Sequence, residues 1–348
     1  ATDMQFNTAS RIFSVKAVGA LSQKYFSDRK AETGHNFILS GGKTGGRYTA
    51  RYGMQVISDG YDPNDMGYLR RNNLFSNELS FGYNLFTPVG PFNSSRNSIA
   101  VSWNRLYAPS AFNDFVISLS SSSVLTSFWT LYFSGSLLPV GSDDYFESRV
   151  EGRMYHRKPS ALFRTGMESD PRRVFMAGVE AVIGRNYLEP GRFRAAIELN
   201  PSVRFNNRFS GEAVFEWGLD NNDEGFAGIT DGTIIFGQRD NRTMSMELDF
   251  SYMFSARSYI SFRMREYWAR AVYSGSYFIL EDDGSLTPAP VSRNDNTSYN
   301  AFNADINYTW RFAPGSELTL VFKNSLYDTA GEIPSSLGEN LGELMKLR

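Results

Sequence analysis

Apolar and polar residues alternate along several long stretches of the chain. In TMSMELDFSYMF (243–254) the even positions are apolar and most odd ones polar, and FNADINYTWRF (302–312) repeats the arrangement. A period of two places successive side chains on opposite faces of a β-strand. These stretches are about twice the usual strand length of ~5–6 residues. The pattern therefore predicts long strands with one apolar and one polar face.

Strands of this kind are typical of the wall of a membrane barrel, which needs ~9–11 tilted residues per crossing. A soluble sandwich or propeller also alternates, but with shorter strands. We therefore expect an all-β, transmembrane antiparallel outer-membrane β-barrel of about 14 to 16 strands. The residues expected to face lipid are Met246, Leu248, Phe250, Tyr252, Ile306 and Tyr308. Those expected in an interfacial aromatic girdle are Trp217, Trp268, Trp310 and Phe312.

Connections between the strands support the same fold, because outer-membrane barrels alternate tight turns with long loops. In the second half of the chain the predicted connections alternate in this way: 206–207 tight, 220–240 long, 255–257 tight, 281–298 long and 313–316 tight.

The first half is less regular. The connections 25–34 and 61–72 are longer than their side of the barrel should allow. Residues 112–137 carry a series of apolar residues at odd-numbered positions, from Phe115 to Leu137. The stretch is either a single strand or two strands with a turn at 120–123.

Composition narrows the class of protein further. The 348 residues include no cysteine, which excludes disulfides and thiolate chemistry. The chain contains no run of 18 apolar residues, so no membrane-spanning helix is predicted. The mean hydropathy is -0.35. A net charge of -2 provides no electrostatic reason to expect nucleic acid as a partner. We expect one barrel domain over residues 1–348.

A glycine-rich segment, FILSGGKTGGRY (37–48), contains the Gly-Lys-Thr of a nucleotide-binding loop. That loop needs a further glycine five residues before the Gly-Lys-Thr glycine, Gly42, and this chain has Phe37 there. It also needs a helix to follow the lysine and threonine. The residues after Thr44 instead alternate as a strand. The segment predicts a hairpin turn rather than a nucleotide site.

Opposite charges are predicted to face each other on the polar side. If 243–254 pairs with 258–268 around a tight turn, Asp249 lies opposite Arg263 and Glu247 opposite Arg265. We expect both pairs to brace the lumen. The alternative is unpaired charges in a wet pore, since exposed ion pairs contribute little.

Three segments carry a resemblance to a known family: GMESDPRR (166–173), RMREYWAR (263–270) and NAFNADINYTWRFAPGSEL (300–318). They resemble the C-terminal region of an outer-membrane family common in Bacteroidetes, catalogued as domain of unknown function 5916. The resemblance implies a barrel preceded by a sandwich similar to carbohydrate-binding modules, and it brings no catalytic residues. That sandwich is absent here, and LGELMKLR (341–348) is not a final amphipathic strand, so we expect a chain trimmed at both ends.

Catalytic and metal chemistry find little support. The only histidines are His35 and His156, and the latter lies among arginines and a lysine that would oppose its protonation. The acidic segments 220–225 and 280–286 do not fit the twelve-residue calcium loop. We expect no enzyme, no cofactor and no metal.

Three functional classes remain. The first is an accessory or scaffold subunit of a larger outer-membrane complex for assembly, secretion or nutrient uptake. The second is a pore for glycans or other small solutes, and the third and least favoured is a hydrolase at the rim. The expected partners are outer-membrane lipid, lipopolysaccharide and other outer-membrane or periplasmic subunits.

The predicted faces can be tested by two adjacent substitutions. Phe250→Arg should reduce the free energy of unfolding from lipid vesicles by ~2–4 kcal/mol, because it exposes a cation to the hydrocarbon. Asp249→Asn should cost far less, since its side chain faces the other way. Urea titrations in vesicles measure both, and equal losses would contradict the assigned faces.

Overall fold

A single antiparallel sheet makes up the protein. The computed structural model describes residues 1–65, 67–188, 191–330 and 342, and it has 21 strands in one sheet. No helix in these described ranges is long and apolar enough to cross a membrane. The strands are β1 Thr2–Asn7, β2 Phe13–Lys24, β3 Glu32–Lys43, β4 Tyr48–Ile57, β5 Leu74–Leu85, β6 Phe92–Arg105, β7 Phe112–Leu125, β8 Thr130–Leu138, β9 Ser142–Asp144, β10 Tyr155–Arg157, β11 Ser160–Glu168, β12 Phe175–Met176, β13 Gly178–Asn186, β14 Phe193–Leu199, β15 Ser202–Arg204, β16 Phe209–Thr230, β17 Thr233–Ser255, β18 Ser258–Leu280, β19 Leu286–Pro288, β20 Thr297–Ala313 and β21 Ser316–Ala330.

The longer strands form a meander in which each pairs with the next along the chain. The short strands β9, β10, β12, β15 and β19 lie within the connections. In the described part of the chain, β1 pairs only with β2 and β21 only with β20. The segment 341–348, expected to lack a final strand, falls outside the described residues except for residue 342.

Two predicted connections were wrong. The stretch 112–137 turns at 126–129, where Phe128 has a positive φ of 64°, rather than at 120–123 or not at all. Counting β7 and β8 as two strands places 25–31 and 58–73 at the long-loop end, which removes the irregularity of the first half.

The predicted long loop 220–240 is also wrong, because β16 and β17 continue through it to a two-residue turn at 231–232. Bulges between Asp220 and Asp223 and between Phe226 and Gly228 shift the register there. A bulge inserts an extra residue, so the period of two that signals a strand is broken in the sequence although the strand continues.

The glycine-rich segment forms the end of β3 and a turn to β4, as the hairpin prediction required. The turn is tight: Gly46 has a φ of 90°, and the amides of Thr44 and Gly45 donate to the carbonyl oxygen of Ile12. A positive φ favours glycine. The residues that suggested a phosphate loop therefore serve the hairpin.

The sheet has an apolar face, which carries Phe250 and Ile306, and a polar face, which carries Asp249 and Arg263. Register places Phe250 opposite Phe262, which in turn lies opposite Ile306. Residues expected to face lipid share this apolar face: Met246, Leu248, Phe250, Tyr252, Ile306 and Tyr308.

Aromatic residues of the predicted girdle occupy two levels of the apolar face. Trp217 and Trp268 both lie opposite Met244, whereas Trp310 lies opposite Ser258 beside the tight turn. Phe312 stacks near Trp310, with ring centroids 5.6 Å apart. The two levels are separated along β20 by the ten residues from Asn300, which lies opposite Trp268, to Trp310, a strand length of about 33 Å. For strands tilted near 40° this corresponds to a vertical separation of about 25 Å.

Large side chains between these two levels are exposed or partly exposed rather than enclosed in a core. Phe250 and Ile306 are each 37% exposed. The packed core instead lies at the long-loop end, where Tyr155, Ile234, Phe236 and Leu280 form a buried cluster. The apolar face thus has no protein layer of its own over these residues.

Glu266 breaks the apolar face. It lies opposite Met246 and Phe302, just on the tight-turn side of Trp268. Its side chain is only 2% exposed, and neither carboxylate oxygen has a hydrogen-bond partner. A buried acceptor without a partner loses its hydration without compensation, so this carboxylate destabilises the fold.

Replacing Glu266 should therefore increase stability. Glu266→Met should raise the free energy of unfolding by ~1–3 kcal/mol, because it removes an uncompensated polar group and keeps the volume. Urea unfolding in detergent measures the change. The control is Glu216→Met, at an exposed position of the polar face, which should have little effect. A destabilised Glu266→Met variant would contradict the analysis.

Candidate functional site

The predicted charge pairs lie in the predicted register. Asp249 is opposite Arg263, and Glu247 is opposite Arg265. The Nε of Arg263 is 2.5 Å from Asp249 Oδ1 and 3.3 Å from Glu247 Oε1, while Arg265 Nε is 3.5 Å from Glu247 Oε2. Both arginine side chains are nearly half exposed, so each contact contributes at most ~1 kcal/mol. The polar face here is both paired and hydrated.

A second and more buried polar cluster surrounds residues 139–159, which connect β8 to β11 and which we call the cap. Tyr155, in the cap, is 2% exposed. Its ring packs 4.9 Å from that of Phe236, and its hydroxyl donates to Glu224 Oε2 at 2.5 Å. Arg192 adds donors to Glu224 at 3.4 Å and to Asp223 at 2.8 Å. The cap is thereby fixed to β16 and β17.

Glu147 forms the second attachment of the cap. Its Oε1 accepts the backbone amide of Phe226 at 3.1 Å and lies 3.7 Å from an Arg239 nitrogen. Its Oε2 accepts from Arg157 at 3.4 Å, and Arg157 also donates to Asp144 at 2.9 Å. The Glu147 carboxylate thus links the cap to β16 and β17 and also joins two parts of the cap to each other.

Backbone contacts complete the attachment. Arg153 donates to the carbonyl oxygen of Leu280 at 2.8 Å, and the His156 amide donates to that of Gly284 at 2.9 Å. Since β17 and β18 are separated from β11 by β13, β14 and β16, the cap reaches strands well away from its own. The cap therefore extends over the width of the intervening strands.

Close packing at Gly225 makes room for this cluster. A Cβ at this position would lie 2.2 Å from a nitrogen of Arg239 and 2.8 Å from Glu147 Oε1. Arg239 also donates to Asp223 Oδ2 at 3.1 Å and to the Tyr273 hydroxyl at 3.3 Å. A side chain at position 225 would displace the ends of Arg239 and Glu147 and weaken their contact.

Burial and charge tune two groups of the cap. Burial, and then the Glu224 carboxylate, raise the pKa of Tyr155, so its phenol stays protonated and donates. Burial would raise the pKa of Asp144, but the Phe146 amide and Arg157 hold that pKa below its ordinary value. The stability that ionised Asp144 contributes to the fold is therefore fully present above the ordinary carboxyl pKa. It is lost as the pH falls through the lowered pKa of Asp144 in the folded protein.

A carboxylate, not a cation, contacts His156, contrary to the expectation from its neighbours in sequence. Its Nδ1 lies 2.7 Å from Asp143 Oδ1. In the described part of the chain no serine, threonine or tyrosine hydroxyl is hydrogen-bonded to this ring. His35 instead packs edge-on against the ring of Tyr107. Among the described residues, His156 thus has a carboxylate that can orient its ring and no hydroxyl hydrogen-bonded to it.

The acidic segments do not form a calcium loop. Residues 220–225 are strand residues, and Asp283 in the other segment accepts from the Ser285 amide and hydroxyl. Among the described residues there is no group of three or more His, Cys, Asp or Glu that could hold a metal ion. Glu224 of the segment 220–225 contacts the cap through Tyr155, whereas Asp223 pairs with Arg192 and Arg239.

A cleft of about 790 Å³ lies beside the cap, between it and the connections 58–73 and 106–111. This volume is in the range of ligand sites. Two of its polar side chains are engaged within the protein: Asn104 donates to Asp114 at 2.6 Å and Tyr145 to the Phe112 carbonyl oxygen at 3.0 Å. The lining also includes two arginines, Arg71 and Arg149.

Sequence reasoning missed the cap. Its partners lie on β16, β17 and β18 and on the connections that contain Arg192 and Gly284, and no local pattern links Glu147 to Arg239. The one available signal was the complementary charge of the acidic segment 220–225 and the arginines at 192 and 239.

The cap network predicts a large effect of Arg239. Arg239→Gln should lower the free energy of unfolding by about 1.5–3 kcal/mol and speed proteolysis of the cap, because it removes the cation that contacts Asp223, Glu147 and Tyr273. Arg265→Gln is the matched control at an exposed pair and should cost under ~1 kcal/mol. Thermal melting and limited proteolysis measure both. Equal effects would show that the cap is not held by this network.

Comparisons with known proteins give one family. No curated protein matches the sequence. Two solved structures of OmpT, an outer membrane protein of Vibrio cholerae folded in vitro, are similar at low level. One has 10% identity and a TM-score of 0.29 over 85% of this chain and 98% of that one. The other, a trimer form, has 8% identity and a TM-score of 0.30 over 88% and 100%.

Such TM-scores are too low to establish a shared fold. The sequence profile described as "Domain of unknown function (DUF5916)" matches residues 1–348, the whole chain. The resemblance seen in the three sequence segments is thereby confirmed, and the chain belongs to this family.

Proposed function

We propose that this chain is one outer-membrane β-barrel domain with a capped mouth, which serves as an accessory or scaffold subunit of a larger outer-membrane complex. The observation that carries the proposal is the buried network of the cap, in which Tyr155 and Glu147 bind distant strands. A permanent route for solutes would favour a mobile or open mouth instead.

Membrane insertion is supported by the apolar face. Its two tryptophan levels are separated by about 25 Å, the height of the apolar band of outer-membrane barrels. Side chains between them, such as Phe250 and Ile306, are exposed in the isolated chain. Contact with lipid hydrocarbon would cover them, and the polar face would line the lumen.

Closure of the barrel is supported by the backbone of the two edge strands. In lipid, unpaired strand edges are not tolerated. Pairing of β1 with β21 would satisfy both edges and give sixteen wall strands, namely β1–β21 without the short β9, β10, β12, β15 and β19. This even number agrees with the pattern of single-chain barrels.

A pore for glycans or other small solutes is the second candidate. The polar face carries exposed aromatic residues, Tyr267 at 42% and Tyr299 at 43%, with ring centroids 6.1 Å apart. Such rings could stack against sugars in a hydrated lumen. A rim hydrolase is supported only by the contact between His156 and Asp143.

Conductance separates the first two functions. Reconstituted in planar bilayers, the native chain should conduct little current, because the cap obstructs the mouth. Arg239→Gln should produce larger or flickering currents, as the cap loosens. The native chain isolated from outer membranes in mild detergent should have a mass well above its own 39.2 kDa, with a partner in fixed ratio.

Stable, large conductance by the native chain, together with the mass of a single chain, would favour the pore. The Arg265→Gln variant is the control, because it removes a charge from the polar face without touching the cap. An equal rise in current for Arg265→Gln would show that lumen charge, rather than the cap, limits the flow.

A further inference from the structure

Two arginines face each other on the apolar face. Arg242 of β17 lies directly opposite Arg270 of β18. Both lie two residues farther toward the long-loop end than the level of Trp217 and Trp268. Side chains directly opposite in an antiparallel pair have Cβ atoms about 4.5–5.5 Å apart. The two arginines are therefore neighbours on the same face of the sheet.

This pair has no carboxylate partner in the described part of the chain. Arg242 donates to the amide oxygen of Asn221 at 2.9 Å. Arg270 lies 5.5 Å from the Trp268 ring, and its Nε is buried without a hydrogen-bond partner. The nearest acid on this face of β17, Asp240, accepts the Asn222 backbone amide instead. Two positive charges thus stand together uncompensated.

The polar face treats arginine differently. Arg263 and Arg265 on the same strand contact Glu247, and Arg263 also contacts Asp249. Like charges directly opposite each other destabilise a sheet. An anion bound between Arg242 and Arg270 would reverse this effect, and a phosphate group matches the planar donor fork of a guanidinium.

Other arginines at the long-loop end of the apolar face repeat this placement. Arg105 follows Trp103 by two residues and stacks 4.3 Å from the Phe75 ring. Arg185 lies at the end of β13, opposite Phe193. The buried Nε of Arg105 also has no hydrogen-bond partner. Donors of this type lie just beyond aromatic residues, the depth at which lipid headgroups meet a membrane protein.

We propose that Arg242 and Arg270 form a clamp for the phosphate-bearing headgroup of an outer-leaflet lipid, with Trp217 and Trp268 below it against the lipid. This inference rests on the proposed membrane barrel, since it requires the apolar face to contact lipid. Long loops mark the outer side of such barrels, which assigns the clamp to the outer leaflet.

Native mass spectrometry of the full chain in detergent tests the clamp. The probes are lipid A with both phosphates and the same lipid without them. The native chain should bind the phosphorylated lipid and bind the dephosphorylated one at least ~10-fold more weakly. The double variant Arg242→Gln with Arg270→Gln should lose affinity for the phosphorylated lipid by a similar ~10-fold factor or more.

The control is the double variant Arg96→Gln with Arg194→Gln, which removes the same charge from exposed positions of the polar face. Its lipid affinity should equal that of the native chain. Equal binding by the clamp variant would overturn the proposal, as would equal binding of dephosphorylated lipid. Competition by inorganic phosphate at concentrations equal to the lipid would also overturn it, because the site would then select the free ion.

Folding is measured on the same samples by circular dichroism and by the mobility shift on heating that detergent-stable barrels show. A native chain without a heat-sensitive β-structure in detergent would refute the proposed barrel together with the clamp. A folded chain that does not discriminate between the two lipids would refute the clamp alone.

Discussion

Backbone pairing in register between successive long strands is the constraint on which the rest of the structure depends. Side chains alternate with a period of two, so a slip of one residue would exchange the faces of Phe250 and Asp249. The pairing of β17 with β18 extends from Ile235 to Ser255 and holds the faces over almost the whole strand. In lipid the penalty for an unpaired backbone group would make this register stricter still.

The buried core and the apolar face have separate places for a related reason. In the described part of the chain, the apolar face between the two tryptophan levels carries partly exposed side chains and no buried hydrophobic cluster. Packing of apolar side chains therefore occurs beyond the upper tryptophans, where the cap meets the extended hairpin of β16 and β17. The contact of Tyr155 with Phe236, and the buried hydroxyl of Tyr155 on Glu224, belong to this region.

Arginine has different partners in the different regions of the molecule. Arg263 on the polar face touches carboxylates but stays hydrated. Arg239 in the cap network is more enclosed and has Asp223, Glu147 and Tyr273 as partners. Arg242 and Arg270 on the apolar face contact no carboxylate in the described part of the chain, which suits them to an external anion. The partner of each arginine thus follows from the face and level of its strand position.

Glu266 shows that the period-two alternation of side chains can place a charged residue on the apolar face, where its carboxylate oxygens have no hydrogen-bond partner. Its parity places it among Met246, Phe302 and Trp268, although its chemistry suits the polar face. Inspection of RMREYWAR could have found it, since every second residue from Met264 to Arg270 shares one face.

Local sequence determined the long strands, their two faces and the pairing of Asp249 with Arg263, because period and turn position alone define the register of a hairpin. It also carried the family resemblance. The continuation of β16 and β17 through 220–240, the turn at 126–129 and the cap were decided by tertiary structure. Bulges erase the period of two, and the contacts of Tyr155 and Glu147 join residues distant in the chain, so no local pattern encodes them; they form only once the strands that carry their partners are paired in one sheet.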